Sequence, residues 1–358
     1  MVPRDAPSAV SAVPTLRRSG RLSELDALRG IAALAVMLFH FSTRFGELYP
    51  AGLQTGLALP HGHFGVNLFF IISGFVIFMT LERSRTAGDF LVSRFSRLYP
   101  TYWFSLAITF AVTHALGLPG KLVSGSTALA NLPMFHGLFH VPHVDGVYWT
   151  LEVELLFYGW MLLLFLLRKL DKLFAAVAGL LLLRCVYVVA HARYGLDLPY
   201  IAWRLLILEH LPWFALGLCI HAWLAADPEG KRHWRAAALA LAAVASLWVG
   251  PTPERAAIAL AFAGLAFAAA SGRLPVLQWP VLVWLGSISY PLYLLHENIG
   301  WSLLLRMTEW GWSPWLAHAL NLAAVLALSH AVSRAVEQPA MRWIRARWKA
   351  RSGLPAAA

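Results

Sequence analysis

Charge is scarce in this sequence. Asp, Glu, Lys and Arg make up 13% of its 358 residues, about half the share of a soluble domain. Cysteine is scarcer still. Cys185 and Cys219 lie inside apolar runs with no ligand spacing, which excludes a disulfide framework and leaves two small core residues. Alternation with period two is also missing, which excludes the strands of an outer-membrane barrel. What remains is 59% hydrophobic and falls in runs of about 16–23 residues, close to the ~20 that cross a bilayer. The expected fold class is all-α: a polytopic transmembrane helical bundle.

About ten spans are read, near 28–45, 64–80, 99–118, 148–167, 173–191, 205–225, 236–250, 256–271, 281–303 and 315–333. With the N-terminus inside, 22 of the 29 Lys and Arg residues fall on inner segments, six fall on outer ones, and Arg184 lies within a span. This bias places both termini in the cytoplasm. It also explains the net charge of +11 as a sorting feature, so no nucleic-acid partner is expected. Residues 1–22, rich in Pro, Ser, Ala and Arg, read as a disordered cytoplasmic tail. Residues 23–335 read as the membrane domain and 336–358 as a basic cytoplasmic tail.

Polar residues in such a chain mark candidate sites. Arg29 and His40 are eleven residues apart, which brings them to within ~20° on one helix face, roughly 16 Å apart along the axis. A cation at the membrane edge and a titratable ring deeper in suit binding plus chemistry. They equally suit a topology marker and an interhelical hydrogen bond. Asn67 lies in a second span whose Gly65, Ser73 and Gly74 suit close packing. Arg94 and Arg97 are three apart, so on a helix they share a face and can grip phosphate or a lipid headgroup. Glu152 and Glu154 are two apart, about 200° around a helix, and cannot face one site. A carboxylate facing inward there could orient His40. Pro291 kinks a span carrying Tyr290, His296 and Glu297, as in a cavity wall. Glu337, beside Pro339, is placed to neutralise an inner arginine, and Pro339 to end the last span. His136, His140 and His143 lie in the longest outer loop without a carboxylate or cysteine at metal spacing. No metal site is expected, and that loop is read as lining an outer vestibule.

Taken together, these stretches resemble the acyltransferase-3 family of bacterial membrane acyltransferases. The resemblance rests on Leu25-Asp26-Ala27-Leu28-Arg29-Gly30 with His40, Phe70-Ile71-Ile72-Ser73-Gly74-Phe75, and Arg94-Phe95-Ser96-Arg97-Leu98-Tyr99-Pro100. It continues with Trp149-Thr150-Leu151-Glu152-Val153-Glu154, Ser289-Tyr290-Pro291-Leu292-Tyr293-Leu294-Leu295-His296 and Glu337-Gln338-Pro339, all in family order. It implies a ten-helix bundle in the bacterial cytoplasmic membrane. Such a bundle takes an acyl group, acetyl above all, from cytoplasmic acyl-CoA and delivers it to a hydroxyl of a sugar, glycolipid or natural product at or beyond the outer face. By position, His40 and Glu154 would be catalytic, and Arg29, Arg94 and Arg97 would hold acyl-CoA. Asn67, Tyr290 and His296 are added as acceptor contacts. Acyl-CoA would be a co-substrate, with no permanently bound cofactor. Leu155 stands where many members carry a second acid and Glu152 is extra, so the choice between Glu152 and Glu154 as the partner of His40 stays open. A proton-coupled transporter or flippase, with His40 and Glu154 as a proton relay, is the competing class. It lacks the internal inverted repeat common among secondary transporters.

Overall fold

A computed structural model of the chain describes residues 23–225, 227 and 230–351. The expected tail 1–22 lies outside them. Among the described residues there are helices and turns and no strand. Helix α1 (Ser23–Phe39) is followed by α2 (Gly65–Arg83), α3 (Ala87–Leu116), α4 (Trp149–Leu166), α5 (Leu173–Tyr194) and α6 (Leu211–Leu224). Then come α7 (Lys231–Trp248), α8 (Glu254–Ala270), α9 (Pro280–Leu295), α10 (Glu297–Glu309), α11 (Pro314–Val332) and α12 (Gln338–Arg351). Each of the ten expected spans falls on these helices, the ninth on two of them.

Among the described residues, five helical segments are long and apolar enough to cross a bilayer: Ser23–Leu48, Pro60–Arg83, Gly146–Leu166, Leu170–Tyr194 and Pro314–Arg351. Leu211–Leu224 and Pro280–Leu295 are shorter apolar helices. The exterior is apolar, with Leu182 and Val186 of α5, Leu241 of α7 and Leu260 of α8 exposed. Polar Thr113, Asn131, Ser289 and Ser329 are buried, each donating to a backbone carbonyl. That distribution suits a bundle solvated by lipid, where polar groups must be satisfied inside. The protein is an all-α helical membrane protein.

Local sequence sets the element ends. Thr86-Ala87-Gly88-Asp89 forms a capping box: the Asp89 amide donates to Thr86 Oγ1 at 3.1 Å and the Thr86 amide to the Asp89 carboxylate at 3.0 Å. Helix α3 therefore begins twelve residues before the span expected from residue 99. The ninth expected span divides at His296 into α9 and α10. Pro291 has no amide to give the Ser287 carbonyl, and the Ser333 hydroxyl donates to that carbonyl at 3.1 Å instead. The last expected span does not end at Pro339. Helix α11 passes through a π-helical turn, Ser333–Glu337, into α12, with Pro339 in the first turn, where its missing amide costs nothing. Residues 338–351, expected as part of a tail, thus form a helix packed on α3.

Two glycine crossings hold the bundle. Helix α1 lies backbone to backbone on α9: a Cβ added at Gly30 would stand 2.5 Å from the Gly286 amide nitrogen, and one at Gly286 would strike the Asp26 carbonyl. Helix α2 meets α6 the same way at Gly74 and Gly217. Gly30→Val should therefore overpack the first crossing, at a cost of about 1–3 kcal/mol. Gly264→Ala, in a helix with open space around it, should instead gain about 0.5–1 kcal/mol. Thermal unfolding in detergent should show the midpoint falling for the first and holding or rising for the second.

Candidate functional site

The regular part of α1 ends at Phe39, and His40 opens a π-helical turn, His40–Arg44. Such turns are frequent at functional sites. The Trp301 indole donates to the His40 carbonyl at 2.9 Å and holds this turn against α10. The His40 ring meets the kinked junction of α9 and α10. His296 Nε2 and His40 Nδ1 are 2.9 Å apart. His296 Nδ1 lies 3.0 Å from the Leu292 carbonyl, and His40 Nδ1 lies 3.0 Å from that of Val36. This network assigns the tautomers: each Nδ1 carries its proton, and His296 Nε2 accepts from His40. His40 Nε2 is left with its lone pair, 3.4 Å from a Glu297 carboxylate oxygen.

The outer loop holds the backbone next to Glu297. Asp145 accepts from the amides of Val147 at 3.2 Å and Asn298 at 3.1 Å. The Asn298 side chain donates to the Val144 carbonyl at 2.9 Å. Gly146 leaves room for the Glu297 carboxylate, which a Cβ there would strike. A cavity of about 270 Å³ opens on His40 and Glu297 and is walled by Asn67, His63, Trp149, His210, Glu209 and Arg255, among others.

A second cavity, about 470 Å³, lies at the opposite end of α1. Arg29, Arg94, Arg97, Arg342 and Arg345 line it, against the carboxylates of Asp26, Glu154 and Glu337. Arg94 and Arg97 share the face that their spacing predicts. Arg97 is ion-paired with the buried Glu337, and its guanidinium lies over the Tyr290 ring, 5.5 Å from the centroid. Arg94 donates to Ser93 Oγ at 3.0 Å and Thr80 Oγ1 at 3.3 Å. The buried Nε atoms of Arg29 and Arg94 have no hydrogen-bond partner among the described residues. Five cations facing three carboxylates make a site for a polyanion.

Between the two lies a small cavity of about 40 Å³. It shares Arg29, Ser73 and Glu154 with the arginine-lined cavity, and Val66, Phe70 and Tyr293 with the histidine cavity. The three form one series along α1. Tyr290 belongs to this waist, its hydroxyl donating to the Leu98 carbonyl at 2.9 Å. It stands apart from the cavity that holds Asn67 and His296's partner, His40.

The expected pairing of His40 with an acid of α4 is not present. Glu154 accepts from Ser73 at 2.6 Å and from Tyr158 at 2.5 Å, at the arginine-lined end. Glu152, about half a turn round the helix, is fully buried and ion-paired with Arg204, and it accepts from the Leu138 amide at 3.1 Å. It pins the outer loop. That loop does more than line a vestibule: it folds back along α3, where the buried Tyr102 hydroxyl donates to the Asn131 carbonyl at 2.8 Å. Within it His136 Nε2 lies 2.6 Å from His143 Nδ1. Burial, then the neighbouring His143, pushes His136 down to about 4, so this pair is neutral at neutral pH. Glu297, Asp145, Arg342 and Arg345 were not singled out from the sequence as site residues. Glu297 adjoins His296 after the proline kink, and Arg342 and Arg345 repeat the Arg-x-x-Arg spacing; those were the available signals.

A helical bundle with an apolar exterior, an arginine-lined cavity at one end of α1 and a His40–Glu297 pair at the other has the parts that a membrane group-transfer enzyme needs. The chain belongs to the acyltransferase-3 family: the acyltransferase-domain model matches residues 22–334. It is 27% identical to nodulation protein 10 of Rhizobium leguminosarum bv. viciae over 90% of this chain and 94% of that protein. It is 32% identical to the exopolysaccharide production protein ExoZ of Rhizobium meliloti over 31% of this chain and 37% of that protein. It is 29% identical to the acyltransferase MdmB of Streptomyces mycarofaciens over 38% of each. No solved structure matches it. The protein is an acyltransferase, and the transporter reading gives way to that membership.

Replacing Glu297 by Gln keeps its volume and removes the carboxyl group facing His40. We expect kcat for acyl transfer to fall about 10²-fold, within the range for acid–base assistance, with the unfolding midpoint unchanged. Glu152→Gln should lower the midpoint and spare kcat in the protein that stays folded.

Proposed function

We propose that this protein transfers an acyl group from acyl-CoA, bound at the arginine-lined cavity, to a hydroxyl of a carbohydrate, glycolipid or natural-product acceptor at the histidine cavity. One observation carries the reading: the run of three cavities along α1 from Arg29, Arg94 and Arg97 to His40 and Glu297. The excess of Lys and Arg on the segments at the arginine end supports placing that end in the cytoplasm of a bacterial cell. The acceptor then binds on the outer side of the inner membrane. The printed name of ExoZ, an exopolysaccharide production protein, supports a carbohydrate acceptor, and acetyl is the donor group that the family resemblance favours.

In this reading the phosphates of acyl-CoA rest on the guanidinium groups, and the thin pantetheine arm runs through the waist. The waist is only about the size of one water's share of liquid volume. Passage of the arm therefore requires its lining side chains, Phe70, Tyr290 and Tyr293 among them, to turn. The thioester carbonyl arrives beside His40. His40 Nε2 takes the proton of the acceptor hydroxyl as that oxygen attacks the carbonyl. The tetrahedral intermediate collapses, the C–S bond breaks, and the proton returns from His40 to the leaving thiolate. Glu297 faces the imidazolium while it exists. His296 holds the ring through Nδ1, so that Nε2 points to the cavity. The alternative order, attack by His40 to give an acyl-imidazole that the acceptor then cleaves, uses the same atoms.

The test is thiol release from acetyl-CoA by purified protein in lipid nanodiscs, with and without candidate sugars. His40→Ala should lower turnover by about 10²–10⁴-fold while acyl-CoA still binds. Arg94→Ala should raise the KM for acetyl-CoA by about tenfold, the worth of one charge-assisted contact, with kcat within about twofold. Full turnover by folded His40→Ala protein would end this assignment.

A further inference from the structure

We propose that Arg342 and Arg345, carried by α12, are the mouth of the donor site and recognise the 3′-phosphate monoester of the CoA nucleotide. The inference rests on the acyl-CoA reading above and adds to it a part of the chain beyond the matched family domain, which ends at residue 334.

Helix α12 is tied into position over the arginine-lined cavity. Its Arg345 Nε donates to Ser96 Oγ at 3.1 Å, and its Trp348 indole donates to the Asp89 carboxylate at 2.8 Å. Gly88 leaves room for the Trp348 ring: a Cβ there would stand 2.6 Å from it. Arg342 and Arg345 lie three apart and share one face, and Trp348, three further on, borders it. That face turns Arg342 and Arg345 into the wall of the cavity.

The cavity is graded in depth. Arg29 lies at its inner end, where it also lines the waist. Arg345 is half-buried and Arg342 is exposed. CoA is graded in the same sense. Its pantetheine arm leads, the diphosphate comes next, and the 3′-phosphate sits on the ribose at the far end. With the arm in the waist, the diphosphate falls to the inner arginines and the monoester to the outer pair. Two guanidinium forks three residues apart suit a dianionic monoester. The same chemistry could be met by an anionic lipid headgroup, since a basic helix at the membrane surface attracts such lipids.

The experiment is equilibrium binding of CoA and of 3′-dephospho-CoA to the full chain in phosphatidylcholine nanodiscs, with no turnover needed. The variant is the double substitution Arg342→Gln, Arg345→Gln, which keeps the side-chain stems. Arg347→Gln is the control; it removes a charge from the same helix at a residue outside the cavity lining. Wild type and Arg347→Gln should bind CoA about tenfold or more tighter than dephospho-CoA, the worth of contacts to one charged group. The double variant should bind CoA about tenfold more weakly and dephospho-CoA unchanged, which erases the preference. An equal weakening for both ligands, or none, would overturn the assignment. So would an effect that appears only when phosphatidylglycerol is added to the nanodisc, which would give these arginines to lipid. Wild type that binds neither ligand would refute the acyl-CoA reading itself. CoA binding that withstands the double variant would refute this inference alone.

Discussion

The backbone contact of α1 with α9 at Gly30 and Gly286 is the constraint on which the site depends. It brings the stripe that carries Arg29 and His40 against the one that carries Ser287, Tyr290, Tyr293 and His296. All three cavities open along this line of contact. Lipid tails are as apolar as leucine, so helices in a membrane gain nothing from hydrophobic exclusion of one another, and close backbone approach has to hold them. Here the same approach also sets the distance between the arginine-lined cavity and the histidine cavity.

The two ends of this line answer different electrostatic needs. At the arginine end, cations outnumber carboxylates, and the Arg97–Glu337 pair fixes one guanidinium while Arg29 and Arg94 retain buried Nε atoms without partners among the described residues. Paired charges give the cavity its shape, and the remaining positive excess is left for a ligand. At the histidine end the balance is close. His40 Nε2 faces one carboxylate, and the loop carrying Asp145 fixes the backbone of the next residue, Asn298. A transient imidazolium inside a low-dielectric bundle would be costly to form alone, and an opposed carboxylate offsets that cost.

Much of this was legible in the residues. Hydropathy located the apolar helices, though it ran α9 and α10 together. The eleven-residue spacing put Arg29 and His40 on one stripe, and the three-residue spacing put Arg94 and Arg97 on one face. The half-turn between Glu152 and Glu154 implied separate sites, and they have them: Arg204 with the outer loop for one, Ser73 with Tyr158 for the other. The partner of His40 was not legible, because it depends on where a proline kink aims the residues after it. Glu297 could be placed near the outer half of its span, but its direction is set by Pro291, Asp145 and Gly146 acting together. Helix α12 was hidden for a related reason. Pro339 reads as a stop, and only the turn before it shows that the chain resumes as a helix in the first position that tolerates proline.

Two π-helical turns bear on this point. One places His40 and the other ends at Glu337. Each adds a residue to a turn and rotates the next stretch of helix out of the regular register, which no periodicity rule anticipates. They are linked through the backbone defect that Pro291 creates. The carbonyl of Ser287, left without its helical donor, accepts from Ser333, the first residue of the second π turn. That turn carries Glu337 to Arg97, while the break between α9 and α10 carries His296 and Glu297 to His40. A single missing amide therefore bears on both ends of the channel. It supplies the acceptor against which the α11–α12 junction is set, and it lies five residues before the break at His296 that separates α9 from α10. The geometry for holding an anion and the geometry for using a histidine are in this sense one construction, and loosening α9 at Pro291 would disturb both.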